Sequence, residues 1–585
     1  MKASNRPDPR VLRFSSTSLI FFTILSFRLL NALTIRTFFQ PDEFFQSLEP
    51  AWKMVFDEGW LTWEWKNRLR SIAHPALFAA VYKSLDFISN LVRLQSSTRA
   101  EVLVVAPRVL QAVFAALGDY FTAKLAGKLF GGAAGWTSVR VLYSARYFSN
   151  GEAYLWFSVG SAFHFFCSTR TFSNSLETSI TTIALYYWPW PQLITKKPNA
   201  KSVVVEGQID RKELQLSLLF AAFACILRPT NVLIWSSLGL FLIYHSSSRE
   251  RVRIVTEVVT VGITALVLNA VADHQYYGVW AFPPMKFLEF NLVQSLSVFY
   301  GSNPWHYYLS QGLPLLLTSF LPIAMYALCS FLGRSPMENG TAAGFQLAST
   351  VVLVTSVYSL ISHKEFRFIY PLLPILHVLS AAKFENLSWR TSTKKWVLMG
   401  MILLNIPVAW YSTQVHQRGV VDVVDWLRKT GNADNPEKWN SVGFLMPCHS
   451  TGWRSSVMGV GEMWALGCEP PVGLSSEEKV SYLDEADRFY ASPAEFLETQ
   501  FPTPPSTGRN PMKRMLEETT HQWPDRLVFF GALENTIKSY LGPETEYGEC
   551  KRFFNSHAHD DSRRKGDVIV YCLRKGAAGE AGSFV

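Results

Sequence analysis

The amino-acid sequence predicts a polytopic α-helical membrane protein that ends in a soluble domain. Three observations carry this. The 585 residues are 49 % hydrophobic, 14 % aromatic and only 17 % charged, too apolar for a water-soluble chain of this length. Between residues 17 and 411, apolar stretches recur whose length, at ~1.5 Å rise per residue, suits a ~30 Å hydrocarbon core. Beyond 411 they stop, and residues 412–585, rich in Pro, Glu, Asp and Trp, are numerous enough for a folded domain.

The first span, 17–36, follows Lys2, Arg6, Arg10 and Arg13 and lacks a small-residue cleavage site. It reads as a retained signal anchor, with residues 1–16 in the cytoplasm. Further apolar spans fall near 75–93, 102–120, 135–149, 152–168, 177–191, 213–229, 230–247, 254–273, 312–332, 346–362, 368–382 and 396–411. Several are short, so about 11–13 transmembrane helices are expected. Counting parity from the anchor puts Lys196, Lys197, Lys201, Arg211 and Lys212, then Arg249, Arg251 and Arg253, then Arg390, Lys394 and Lys395 on the cytoplasmic side, the positive-inside pattern. These cations sit in short loops and form no continuous face, so the net charge of +9 (55 minus 46) implies no nucleic-acid partner. Cys448, Cys468, Cys550 and Cys572 fall on the far, oxidising side, which predicts two disulfides in one of three pairings.

The densest candidate chemistry is at two places. Asp42 and Glu43 stand at the exit of the first span, and Pro41 is expected to stop the helix and leave the pair in a loop, free to face a ligand. His363-Lys364-Glu365-Phe366-Arg367-Phe368 lies between two apolar spans. Its Arg and Lys suit a phosphate, the first by paired hydrogen bonds and the second as a point charge. Weaker polar islands include Asn174 and Glu177, Arg228-Pro229-Thr230-Asn231, and a long loop with Trp305 and His306. Each alone reads as structural, but the parity count sends all of them to the same face as Asp42. Phosphate-loop, dinucleotide and H-E-x-x-H motifs are absent, so nothing supports nucleotide hydrolysis, hydride transfer or zinc proteolysis. A secondary transporter would place ionisable groups at mid-membrane and show internal repeats, and neither is evident.

These motifs resemble the dolichyl-phosphate-mannose-dependent mannosyltransferases of glycosyltransferase family 22, in the C-type superfamily. The resemblance is carried by Pro41-Asp42-Glu43, Ser173-Asn174-Ser175 with Glu177, Arg228-Pro229-Thr230 and, above all, the run from His363 to Phe368. A narrower resemblance, to the branch that adds the third mannose of the GPI anchor, rests on Gln46 to Glu49, Gly59 to Trp65, Pro447 to Thr451, Asp484 to Tyr490 and Leu527 to Gly531. Phe45, Gly452 and Asn303 depart from the family pattern.

The resemblance implies a C-type glycosyltransferase fold in the endoplasmic reticulum membrane. Residues 17–411 would form the multi-span catalytic domain with lumenal loops 37–74 and 274–311, and 412–585 a lumenal domain. It implies dolichyl-phosphate mannose as donor and a GPI glycolipid as acceptor. An inverting single displacement follows, with Asp42, or secondly Glu43, as base and His363, Lys364 and Arg367 at the donor phosphate. Gln46, Glu49, Glu64, Trp65, Asn174, Glu177, Arg228, Trp305 and His306 are then acceptor or supporting residues. A divalent metal on Asp42 or Glu43 fits such chemistry, but nothing in the sequence compels it. The oligomeric state is not legible. The alternative within the family is a sister enzyme acting on the dolichol-linked N-glycan precursor or adding the fourth GPI mannose.

Overall fold

A computed structural model describes residues 16–130, 150–190, 209–290, 299, 301–333, 342–431, 438–458, 461–472, 474–505 and 519–574. Its membrane part is a bundle of helices of unequal length. Among the described residues, six are long and apolar enough to cross a membrane: Ser96–Phe130, Ser248–Tyr277, Tyr308–Leu332, Ala342–Leu360, Phe366–Glu385 and Thr391–Gln414. The helix Ser16–Thr34 packs against the first of these, as does the short helix Asn150–Val159. The expected span near 135–149 lies outside the described residues, as do Lys196, Lys197 and Lys201.

Some expected spans are broken, for local reasons. The stretch 152–168 divides at Gly160, where Ser161 caps the helix Ala162–Cys167 by accepting from the His164 amide at 3.3 Å. Helices Arg211–Leu227 and Val232–His245 meet at a 3₁₀ turn over Pro229–Asn231, because proline cannot continue the first helix.

Pro41 does not leave Asp42 and Glu43 in a loop. It opens a helical segment instead: the amides of Phe44 and Phe45 both bond the Pro41 carbonyl at 2.9 Å, and the chain continues through a π turn, Phe44–Leu48, into the helix Glu49–Phe56. Proline is well suited to a first helical turn, where its missing N–H has no partner to lose. The extra residue of the π turn also shifts the side chains that follow it around the helix axis.

After the last long helix comes a mixed sheet of five strands, β1 (Ser441–Leu445), β2 (Glu462–Ala465), β3 (Arg526–Phe530), β4 (Tyr547–Phe553) and β5 (Val568–Leu573), in the order β2-β1-β3-β5-β4. β1 is parallel to both its neighbours, and β5 is antiparallel to both of its own. Residue alternation sends Leu527, Phe529, Ile569 and Tyr571 to one face, under Phe489 and Leu497. Val528, Phe530, Val568 and Val570 face the other way. They share a core with Phe38, Phe44, Trp52 and Phe78 from the chain that follows the first helix. The sheet is thus built onto the membrane part, with no free linker between them.

The seam is closed where the two chain segments leave the bundle together: Arg36 N donates to Thr413 O at 2.9 Å and Phe38 N to Gln417 O at 3.0 Å. Of the three pairings open from sequence, the structure takes Cys448–Cys468 and Cys550–Cys572.

Candidate active site

The two dense motifs meet. Arg367, on the 3₁₀ turn Phe366–Leu372, bonds the Asp42 carboxylate through Nη1 across 325 residues of sequence. Its opposite edge grips Glu365, with Nε to Oε2 at 2.7 Å and Nη2 to Oε1 at 2.8 Å, the fork geometry of a paired guanidinium and carboxylate. Burial alone would raise the Glu365 carboxyl, but Arg367 and His363 hold it well below the usual carboxylate range. His363 lies 3.3 Å from Glu365 Oε1 and bonds the Gly301 carbonyl at 2.9 Å. Burial works against its charge, yet these two acceptors carry it above its ordinary value.

The three cations of the motif are therefore not equivalent. Arg367 touches Asp42 directly and His363 acts through Glu365. Lys364 turns aside, donating to the Asn303 carbonyl at 2.7 Å while Asn303 Nδ2 returns a bond to the Lys364 carbonyl at 2.8 Å. It fastens the motif to the preceding loop.

Glu43 also points away from Asp42. It meets Arg170 Nη1 at 3.1 Å, and the same guanidinium donates to the Thr37 carbonyl at 2.7 Å and to the Phe166 carbonyl at 2.9 Å. Both side chains are 2 % exposed, which decides the reading: this is a buried ion pair that orients the segment carrying Asp42. Replacing Glu43 by Ala strands a buried guanidinium, so we expect a loss of about 3–5 kcal/mol of stability. A thermal melt of purified protein checks this. The double change Glu43→Gln with Arg170→Met should recover most of the loss.

Asn174, Glu177 and Arg228 converge behind Arg367. Asn174 Nδ2 donates to the Arg367 carbonyl at 3.2 Å and its Oδ1 accepts from Arg228 at 3.3 Å, while Arg228 Nε stands 3.6 Å from Glu177 and Asn231 donates to Glu177 at 2.8 Å. The Arg228 guanidinium lies 5.2 Å from the centroid of the Phe368 ring. Deeper still, Tyr370 on the same 3₁₀ turn bonds His164 at 2.7 Å, and His164 bonds Asp119 at 2.8 Å. These groups set the backbone from which Arg367 projects.

On the other side of Asp42, Gln46 donates to Glu64 at 3.0 Å, and Glu64 pairs with Arg70 at 2.7 Å. Burial opposes the charge on Arg70, but Glu64 and, beyond it, Asp42 keep it protonated. Trp65 donates to the Phe45 carbonyl at 3.0 Å. Glu49 is fully buried and accepts from Ser455 N at 2.8 Å, Ser455 Oγ at 2.6 Å and Trp60 N at 3.2 Å, so it ties three segments together. Its burial pushes its carboxyl up against the pull of these donors. Trp305 and His306 are not brought in: Trp305 is exposed, and His306 bonds Ser310 one turn along its own segment.

Two contributors, Arg170 and Arg70, are single arginines with no spacing signal in the sequence, and a third, His449, lies in the Pro447 to Thr451 run that the resemblance quotes without a role and comes from the turn after β1. The His449 ring centroid is 4.3 Å from that of Phe45, its backbone is left-handed at φ +54°, and it borders the Cys448–Cys468 disulfide. Burial pushes its imidazole down to about 4, helped by Arg564 and opposed by Asp42. The folded state thus refuses a proton that the unfolded chain binds near 6.5, so its contribution to stability is full above that pH and is lost as pH falls towards 4. Melts between pH 7 and pH 4 should show this slope, and His449→Asn should flatten it.

The carboxylates do not fit a divalent cation well. Asp42, Glu43 and Glu365 each face an arginine, which leaves a hard ion short of anionic ligands. Among the described residues, the one cluster with metal-ligand geometry is Cys448, His449 and Cys468, whose two sulfurs are joined to each other.

Comparison with known proteins agrees with this architecture. The model of the Alg9-like mannosyltransferase family matches residues 19–458. The chain is 42 % identical to GPI mannosyltransferase 3 of Aspergillus fumigatus over 95 % of its length and 77 % of that protein's, and 39 % identical to that of Yarrowia lipolytica over 95 % and 97 %. Among solved structures it shares the fold of ArnT from Cupriavidus metallidurans bound to undecaprenyl phosphate, with a TM-score of 0.53, 12 % identity, and coverage of 96 % of this chain and 98 % of that one. A helical membrane bundle with a C-terminal sheet, a converged acid–arginine site and relatives of this closeness place the chain in the Alg9-like mannosyltransferase family, as a multi-pass membrane glycosyltransferase of GPI-anchor biosynthesis.

Proposed function

We propose that this chain takes mannose from dolichyl-phosphate mannose and adds it, α1,2-linked, as the third mannose of the GPI precursor, with its site facing the lumen of the endoplasmic reticulum. The observation that carries the reading is the contact of Asp42 with Arg367, a base beside a phosphate-binding cation at the exit of the first membrane helix.

The chemistry is a single in-line displacement. The acceptor hydroxyl attacks the anomeric carbon of the β-linked donor, its proton passes to Asp42, and the bond to the phosphate oxygen breaks, giving the α product and dolichyl phosphate. The phosphate leaves as a stable anion and needs no general acid. Arg367 neutralises it, with Arg70 as the neighbouring cation. The Asp42 carboxylate is paired with Arg367 Nη1. A phosphate that takes Nη1 releases the carboxylate to accept a proton, so donor binding itself arms the base. Glu43, paired with Arg170, positions Asp42 and takes no proton.

The test is genetic and then biochemical. Membranes lacking this protein should accumulate a GPI precursor with two mannoses, and added protein with dolichyl-phosphate mannose should extend it by one. If a truncated dolichol-linked N-glycan precursor accumulates instead, the acceptor assignment is wrong.

A further inference from the structure

A buried charged cluster inside the bundle takes no part in the chemistry above. Asp119 lies on the long helix Ser96–Phe130, within the membrane part, and is 1 % exposed. It accepts from Arg28 Nε at 2.6 Å, from the Ser158 hydroxyl and from His164 Nε2 at 2.8 Å. Arg28 is fully buried as well, so a charge of each sign is held away from water. Ionisable groups inside a spanning bundle are costly, which makes such a cluster a candidate for function.

The cluster ties two elements together. Arg28 belongs to the first helix, Ser16–Thr34, which leads into the segment of Asp42. His164 carries the contact to the other side. Because a carboxylate only accepts, His164 Nε2 donates to Asp119, and Nδ1 of the neutral ring accepts the Tyr370 hydroxyl at 2.7 Å. Tyr370 sits on the 3₁₀ turn Phe366–Leu372, three residues after Arg367. With about three residues per turn, side chains three apart stack on one face, so the grip on Tyr370 sets the direction in which Arg367 leaves the backbone.

The turn depends on such a grip. In an α-helix the Arg367 and Tyr370 carbonyls would accept from the amides of positions 371 and 374, and both are proline, Pro371 and Pro374. These carbonyls are served otherwise: Asn174 Nδ2 donates to Arg367 O at 3.2 Å, and Leu373 N to Tyr370 O. With two backbone donors missing, the turn takes its orientation from Asn174 and His164.

We propose that Asp119 registers the two halves of the active site against each other, through Arg28 on the side of the base and through His164 and Tyr370 on the side of the donor phosphate. Asp119, His164 and Tyr370 are positioning residues that act through Arg367. The inference rests on the reading of Arg367 as the cation at the donor phosphate.

The test is a double-mutant cycle on the full-length enzyme, with dolichyl-phosphate mannose, a synthetic GPI glycolipid bearing two mannoses, and rates normalised to folded protein. Tyr370→Phe removes the hydroxyl and keeps the ring, which packs edge-to-face on Phe163 at 5.3 Å. It should lower kcat about 10- to 100-fold, the cost of a misplaced catalytic group, and leave the acceptor KM unchanged. His164→Ala should lose as much, and His164→Gln should regain most of it, since its amide can accept from Tyr370 and donate to Asp119. In an Arg367→Ala background, Tyr370→Phe should change the rate by less than about twofold, because the group it positions is already gone. A tyrosine with only a structural role would cost the same factor in both backgrounds. That equality overturns the inference, as does a normal kcat in Tyr370→Phe. If Tyr370→Phe does not fold, His164→Gln against His164→Ala in the two backgrounds decides in the same way. Arg367→Ala alone separates the readings. If it is slow while Tyr370→Phe is normal, only the positioning role fails; if it keeps the wild-type rate, the assignment of Arg367 to the phosphate fails and this inference with it.

Discussion

Asp42→Asn should bind donor and melt like the wild type, yet transfer no mannose above ~10⁻² to 10⁻⁴ of its rate, the contribution expected of a positioned general base. The substitution keeps the shape and the contact with Arg367 Nη1, because an amide oxygen can still accept that bond. What it removes is basicity. The comparison with Glu43→Gln is instructive because the two acids are adjacent in sequence but play different parts. Glu43→Gln should lose stability first, since its carboxylate neutralises Arg170 in a buried setting. Turnover of both variants, each normalised to folded protein, checks the assignment. Near-normal turnover in Asp42→Asn would remove the base from the mechanism.

Arg367→Ala should be as damaging, by ~10² to 10³ in kcat for the lost stabilisation of the leaving phosphate. Arg367→Lys should regain only part. The guanidinium holds Glu365 with Nε and Nη2 while Nη1 reaches Asp42, and a single ammonium cannot keep that fork and still face a phosphate. Equal rates for Arg and Lys would reduce the position to a plain positive charge. Lys364→Ala serves as the control. Because Lys364 bonds the Asn303 carbonyl and does not face Asp42, its loss should loosen the loop and weaken donor binding without abolishing chemistry.

The site was legible where ionisable groups stand at membrane boundaries, because such groups cost too much there to be incidental. Asp42 and the His363 to Arg367 run met that test, and the structure brings them together. Partner choice was not legible: nothing in the sequence distinguishes Asp42 from Glu43, and the split arises only because Arg170 stands on one side of the helix and Arg367 on the other. Glu49, expected from the sequence as an acceptor or supporting residue, forms a buried tie to Ser455, a contact 406 residues away that no local pattern encodes. Pro41 was misread because a proline after an apolar span can end one helix or begin the next, and only the two amides that bond its carbonyl decide. The long spans were legible from hydropathy. The mixed sheet was not, since its strands are short and scattered among polar turns.

The shared core of the sheet and the segment after the first helix has a consequence for how the protein comes into being. Phe44 and Trp52 belong to the same core as Val528, Phe530, Val568 and Val570, and Arg367 lies 325 residues after Asp42. At synthesis rates of ~5–20 residues per second, the acid emerges on the order of tens of seconds before its arginine, and longer before the strands that complete the shared core. Throughout that interval the ribosome carries an unpaired carboxylate and an uncovered aromatic face at the membrane surface, the kind of exposed apolar patch that chaperones bind. A message that stops before β5 therefore yields a chain in which Asp42 and Arg367 are both present but the shared core lacks Val568 and Val570. Such a chain keeps part of its apolar core open to water, so its truncation is felt at the opposite end of the sequence from the missing strand.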